Sequence, residues 1–269
     1  MRPGPSSKEW SLVAFTVLAQ AAAGACIVQR IVALESLRID TATQSVLSVA
    51  LLLLLSGGLA ALLHLGRARS ARFALANLQR SPLSEEMLYS GIFGALLVLG
   101  RLSSWASWDQ FAALTGVILL GAIIRVYRLR TVPAWHSWTT LVAFFGTALV
   151  LGAGIVMTAL AFAGLDNTSL RYTIAAAIAI QLLVLHRHLA ALARAGGAAA
   201  ESATIVREDL RSTLDTRLFT AIAGGLIVFG APYLEDLHPV ATLVGVAILG
   251  WSEAQGRALF YAMRRRVGL

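Results

Sequence analysis

His64 closes a long apolar run as His64-Leu65-Gly66, and Leu83-Ser84-Glu85-Glu86 opens the next. An imidazole can donate, accept and titrate near neutral pH, and a carboxylate can pass a proton on, so His64 and Glu86 are equipped for coupled hydrogen bonding and proton transfer. They fall at one depth of segments that otherwise avoid ionisable groups, which cost roughly 2.5–3.5 kcal/mol at mid-helix in hydrocarbon on insertion scales. Groups kept in such a place line a cavity or sit near an interface. A quinone headgroup is the ligand that suits this pair.

Other hydrogen-bonding groups fall towards the same membrane face: Gln20, Ser84, Arg125, Tyr127, Trp135, Glu253 and Arg257. Glu253 and Arg257 are four apart on one helix face, and a structural ion pair is the favoured reading for them. Trp135 and Trp138 read as interface anchors. Glu85 projects about 100° away from Glu86 and reads as solvated or facing a partner.

Much chemistry is excluded. Cys26 is the sole cysteine, so the protein alone has too few thiolates for an iron–sulfur cluster, which usually takes four. The histidines are His64, His136, His186, His188 and His238. His186 and His188 point about 200° apart on a helix, which leaves haem between His64 and one of them as a minor alternative. No phosphate-binding glycine loop, His-Glu-x-x-His or Gly-x-Ser-x-Gly occurs, so catalysis of the soluble type is not expected.

The elements that position these residues are membrane helices. Hydrophobic residues make up 58% of the 269 and charged residues 13%, against about 25% charged in soluble domains, and the mean hydropathy is +0.75. A spanning helix needs about 20 apolar residues, and eight such runs are predicted at 11–31, 46–65, 87–102, 111–127, 138–162, 170–189, 218–234 and 240–261. None shows the alternation of a membrane strand. The expectation is an all-α, polytopic membrane protein, one integral membrane domain over 1–269. Small-residue stretches such as Ala21-Ala22-Ala23-Gly24-Ala25 suit close helix contact in lipid. Arg2 and Lys8 before an apolar run containing Ala19-Gln20-Ala21 have some look of a signal peptide, but the run is read as a retained first helix.

If eight helices alternate, 18 of the 22 basic residues fall on the side of both termini, leaving Arg30, Arg38, Arg101 and Arg171 opposite. The positive-inside rule then places both termini and the His64–Glu86 end in the cytoplasm. A rival reading is that the arginines, among them Arg67, Arg69, Arg72 and Arg80, dock an acidic partner. The one long polar connection, 194–217, reads as a short solvated surface helix.

Several motifs in order resemble the membrane-anchor subunit family of dimethyl sulfoxide reductase. They are Glu9-Trp10-Ser11-Leu12 with Phe15-Thr16 and Gln20, His64-Leu65-Gly66, Leu83-Ser84-Glu85-Glu86, Arg125-Val126-Tyr127 with Thr131-Val132-Pro133-Ala134-Trp135, and Glu253-x-x-Gly256-Arg257-x-x-Phe260-Tyr261. The resemblance spans nearly the whole sequence. It implies a haem-free anchor that is not catalytic for the terminal substrate and sits in the bacterial inner membrane. Its partners would be a molybdopterin catalytic subunit, an iron–sulfur electron-transfer subunit and membrane lipid, with no nucleic acid. The molybdopterin and the clusters would belong to those partners, and the anchor would bind menaquinone or ubiquinone non-covalently.

The family's important histidine and glutamate fall on His64 and Glu86. Where the family usually has proline after His-Leu-Gly, this protein has Arg67-Ala68-Arg69, a change in the loop facing the partner. Sulfite oxidation into the quinone pool and sulfoxide or N-oxide reduction by quinol both remain open. Two other classes compete: a transporter, for which Gly57-Gly58 and Gly224-Gly225 would have to break their helices, and a structural anchor without a quinone site.

Overall fold

Apolar runs of this length leave the backbone no partner in lipid but itself, so helix is the form they take. The computed structural model describes residues 7–35, 40–65, 81–103 and 108–265, and among them there is no strand. The helices are α1 (Ser7–Glu35), α2 (Asp40–Leu65), α3 (Pro82–Leu102), α4 (Trp108–Tyr127), α5 (Trp138–Phe162), α6 (Thr168–Ala195), the short α7 (Gly197–Thr204), α8 (Arg211–Gly230) and α9 (His238–Ala262). Seven helical stretches are long and apolar enough to cross a membrane. The last of them, Arg211–Ala262, is interrupted at Glu235 by a positive φ of 42°. There α9 folds back along α8: Gly224 meets Gly245, and Ser252 Oγ donates to the Arg217 carbonyl at 2.9 Å. Eight spans result among the described residues.

α1 is the central helix, packed against α2, α4, α5 and α9. Its small-residue stretch makes this possible. A methyl group built on Gly24 would lie 1.9 Å from the Ala148 carbonyl oxygen, and one on Gly152 would lie 2.3 Å from the Gly24 carbonyl carbon. The α1–α5 backbones therefore touch, as small residues allow in lipid. α1 runs unbroken through Ala19-Gln20-Ala21, and all three are buried.

The ends largely follow sequence cues. Ser81 caps α3, its Oγ accepting from Ser84 N at 3.3 Å, with Pro82 in the first turn; Ser137 and Asn167 cap α5 and α6 in the same way. Neither glycine pair breaks its helix: α2 continues through Gly57-Gly58 and α8 through Gly224-Gly225. In the 194–217 connection, α7 is not a solvated helix. Ala199, Ser202 and Ala203 are buried, and Ser202 Oγ donates to the Met263 carbonyl at 2.9 Å, so α7 closes one end of the bundle.

Gln20 faces Arg257 and Thr16 faces Tyr261, so α1 and α9 run antiparallel. The first and last described residues thus lie at one end of the bundle.

Candidate functional site

The cap at Ser81 sets Glu85 and Glu86 in the first turns of α3, pointing in different directions. Glu86 is turned inward, only 3% exposed, and its Oε1 has no hydrogen-bond partner. It lies within electrostatic reach of Tyr127 and Tyr261. Glu85 is not simply solvated: both of its carboxylate oxygens accept from Arg125 Nη1, at 2.8 and 2.6 Å. This pair heads a groove of about 370 Å³ between α3 and α4, lined further by Leu88, Tyr89, Ile118, Gly121 and Ala122. Ser84 is buried beside it in the same turn.

Deeper, α1, α5, α6 and α9 enclose a polar network. Glu253 is buried; its Oε2 accepts from Thr147 Oγ1 at 2.6 Å and its Oε1 from Gln181 Nε2 at 3.1 Å. Arg257, 3% exposed, donates from Nη2 to Gln20 Oε1 at 2.6 Å and to Thr147 Oγ1 at 3.4 Å. Its guanidinium lies 3.6 Å from the Phe144 ring centre, a contact worth about 2 kcal/mol when desolvated. The expected Glu253–Arg257 ion pair does not form. Four residues apart they share a face, but Thr147 from α5 inserts its hydroxyl and each charge finds another partner.

An aromatic cluster lies beside the network. Tyr127 packs with Trp135, Phe144, Phe260 and Tyr261 at ring separations of 5.4–6.0 Å. Trp135 is no interface anchor. It is 4% exposed, stacks on Phe260 at 5.1 Å and donates from Nε1 to the Phe260 carbonyl at 2.7 Å. The turn after α4 folds it inward, whereas Trp138, 62% exposed, has the position of an anchor.

Compared with known proteins, the sequence matches the family described as DMSO reductase anchor subunit (DmsC) over residues 4–263. The protein belongs to this family. It is 29% identical to the C subunit of the anaerobic dimethyl sulfoxide reductase of Escherichia coli K12, over 99% of its own length and 98% of that subunit's. A second Escherichia coli K12 protein, the anaerobic dimethyl sulfoxide reductase subunit YnfH, is 27% identical over 97% and 96% of the two lengths. The corresponding anaerobic dimethyl sulfoxide reductase subunit of Haemophilus influenzae is 32% identical over 54% of this protein and 56% of its own length.

In this membrane anchor the sequence candidates separate into two groups. Ser84, Glu86 and Arg125 belong to the α3–α4 end, while Gln20, Glu253 and Arg257 meet in the buried network, with Tyr127 on its aromatic border. His64 is in the last turn of α2, and its side chain lies outside the described residues, as do Arg67, Arg69, Arg72 and Arg80. His186 and His188 diverge as their spacing requires: His186 is exposed, whereas His188 is buried and its Nε2 donates to the Ala134 carbonyl at 3.0 Å.

Sequence reasoning missed Thr147, Gln181, Phe144 and, above all, Arg217, which is inside the protein at 7% exposure. Two of the arginines counted towards the basic face, Arg217 and Arg257, are therefore not surface charges. Gln181 and Thr147, polar residues in strongly apolar runs, carried the usable signal; nothing marked Arg217 apart from its neighbours Arg207 and Arg211.

Proposed function

We propose that this anchor binds a quinone or quinol at the α3–α4 end and exchanges electrons with an iron–sulfur partner subunit of a molybdoenzyme. The supporting observation is Glu86: a buried carboxylate with an oxygen lacking any partner, one residue from the head of a groove large enough for a small-molecule ring. Ligand pockets start at about 300 Å³. A buried carboxyl oxygen left unpaired costs free energy, about 1–3 kcal/mol, that taking up a proton or gaining a polar partner would offset.

A quinone–quinol couple supplies two electrons and two protons per turnover. The protein's own residues handle the protons. Glu86, turned inward beside Glu85 and outside the groove lining, accepts or returns one from behind the groove, while the Arg125–Glu85 pair fixes polar groups at the groove mouth for the ligand oxygen. Leu88, Ile118 and Ala122 give the ring an apolar wall that excludes water. His64, on the end of the neighbouring α2, is the second proton carrier in this reading, with His64→Ala expected to stop quinone-coupled turnover. Tyr127, Gln20, Glu253 and Arg257 lie behind the site and set its electrostatics rather than touch the ligand.

The partners would be the iron–sulfur subunit and a molybdopterin catalytic subunit, docked at the end where Arg67, Arg69, Arg72 and Arg80 belong. The bacterial inner membrane is the proposed location, with both termini and the quinone end cytoplasmic. Two overall reactions fit: reduction of sulfoxide or N-oxide by quinol, favoured by the names of the relatives, and oxidation of sulfite into the quinone pool, favoured by a cytoplasmic docking face.

Extraction of the tagged anchor in mild detergent tests the assembly. Two larger subunits carrying molybdenum and iron should accompany it, and the purified complex should then be assayed with sulfite and with sulfoxide. An anchor that comes out alone and free of both metals under several mild conditions would overturn the proposal.

A further inference from the structure

Arg217 and Arg257 are both buried, but the protein provides for them differently. Arg257 Nη2 has Gln20 and Thr147 and its guanidinium lies over the Phe144 ring, although its Nε and Nη1 have no hydrogen-bond partner among the described residues. Arg217 has no counterpart: among the described residues its guanidinium makes no hydrogen bond and no direct ion pair, and its charged neighbour Glu253 is already engaged by Thr147 and Gln181. A guanidinium largely withdrawn from water without acceptors is unfavourable, and at 7% exposure this one keeps only slight access to its surroundings. Gly256 makes space for it. A methyl group at position 256 would lie 2.5 Å from Arg217 Cζ and 2.7 Å from Nη1.

The guanidinium borders a cavity of about 40 Å³ between α5, α6, α8 and α9, whose wall includes Thr140, Gln181, His188 and Phe260. That volume takes roughly three water-sized groups, the scale of the oxygens of one oxyanion. The cavity is not sealed, because Thr139, Val142, Val184 and Leu185 on its wall are only half-buried. It lies at the basic end of the bundle, with exposed Arg187 and Arg211 within two turns on α6 and α8. Locally, two buried guanidiniums face one buried carboxylate at Glu253, and water would supply acceptors but no counter-charge.

We infer that this cavity is a binding site for a phosphate-bearing anion, with Arg217 as its positive charge and Gly256 as the residue that lets Arg217 reach it. Basic pockets between spanning helices bind anionic lipid headgroups, and a free phosphate would present the same oxygens. The site is separate from the α3–α4 groove, so the inference stands whether or not a quinone binds there.

The test uses the intact complex, purified in detergent and stripped of lipid, with radiolabelled orthophosphate and radiolabelled phosphatidylglycerol as alternative probes. About one equivalent per anchor should bind, and Arg217→Gln should weaken binding at least tenfold. Binding of orthophosphate would identify a soluble source, and binding of phosphatidylglycerol alone would identify a lipid. Gly256→Ala, which keeps the arginine but takes its space, should also weaken binding and serves if Arg217→Gln does not assemble. No stoichiometric binding of either probe, or equal binding in wild type and in whichever variants assemble, would mean that the cavity holds only water and would overturn the inference.

Discussion

Glu253 shows how a single side chain in this bundle is constrained from three helices. Thr147 on α5 and Gln181 on α6 both donate to it, and it sits one turn from Arg257 on α9. Removing the carboxylate leaves the Gln181 amide without its acceptor and Thr147 with only the Ala143 carbonyl, at about 1–3 kcal/mol for the orphaned donor besides the cavity left behind. Glu253→Ala should therefore lower the thermal midpoint of the detergent-solubilised anchor by several degrees, whereas Glu253→Gln, which retains an oxygen for Thr147, should lose less than half as much. Equal losses in the two variants, read by thermal unfolding, would show that the hydrogen bonds matter less than the charge.

The residue scale is also where the sequence was least legible. Spacing placed Glu253 and Arg257 on one face but could not show that Thr147, 106 residues away from Glu253, would come between them. The same holds for Trp135, which reads in the sequence, together with Trp138, as an interface anchor. Its burial depends on a turn that brings it under Phe260, a contact across 125 residues.

At the scale of elements, hydropathy was a sound guide because each span must bury its own backbone bonds. The 138–162 run matches α5 at both ends, and most of the others differ by extension into polar turns. α3 begins at Pro82, not Met87, since the capped first turn carries Ser84, Glu85 and Glu86, residues that lower its hydropathy. α6 continues beyond Leu189 to Ala195 for the same reason, with Arg194 in its last turn. The glycine pairs misled in the opposite sense: they permit close packing and do not break helices. That packing makes a prediction about α1 and α5. Gly152→Val places side-chain atoms where the Gly24 backbone now lies, and overpacking of this kind costs about 1–3 kcal/mol or more. The variant should reach the membrane at well under half the wild-type level, whereas Gly121→Val, where an added Cβ meets nothing within 4 Å, should accumulate normally. Similar levels of both proteins on quantitative blots would contradict the close crossing.

Over the whole molecule, an even number of spans among the described residues puts residues 7 and 265 at one end of the bundle, and the proposal, from the arginine asymmetry, that this end is cytoplasmic can be tested there. Cys26 is buried, so a cysteine introduced at position 265 gives an accessible thiol against a quiet background. It should react with a membrane-impermeant maleimide only after cells are opened; labelling of intact cells would reverse the orientation. The asymmetry survives the loss of Arg217 and Arg257 to the interior, because the remaining arginines of that side are still in the large majority. Family membership was legible from ordered motifs because these mark the helix ends where the polar residues converge. The cavity beside Arg217 was not, because it forms only when four helices meet.

The central claim is that the α3–α4 end exchanges protons with quinone through Glu86. Its most direct test is the rate of quinol-coupled turnover in the purified form of the proposed complex carrying Glu86→Gln, compared with wild type at equal molybdenum and iron content. Loss of a general acid–base group costs about 10²–10⁴-fold, so the variant should be slower by about 100-fold or more while remaining assembled. A fully assembled Glu86→Gln complex turning over quinol at the wild-type rate would contradict the account.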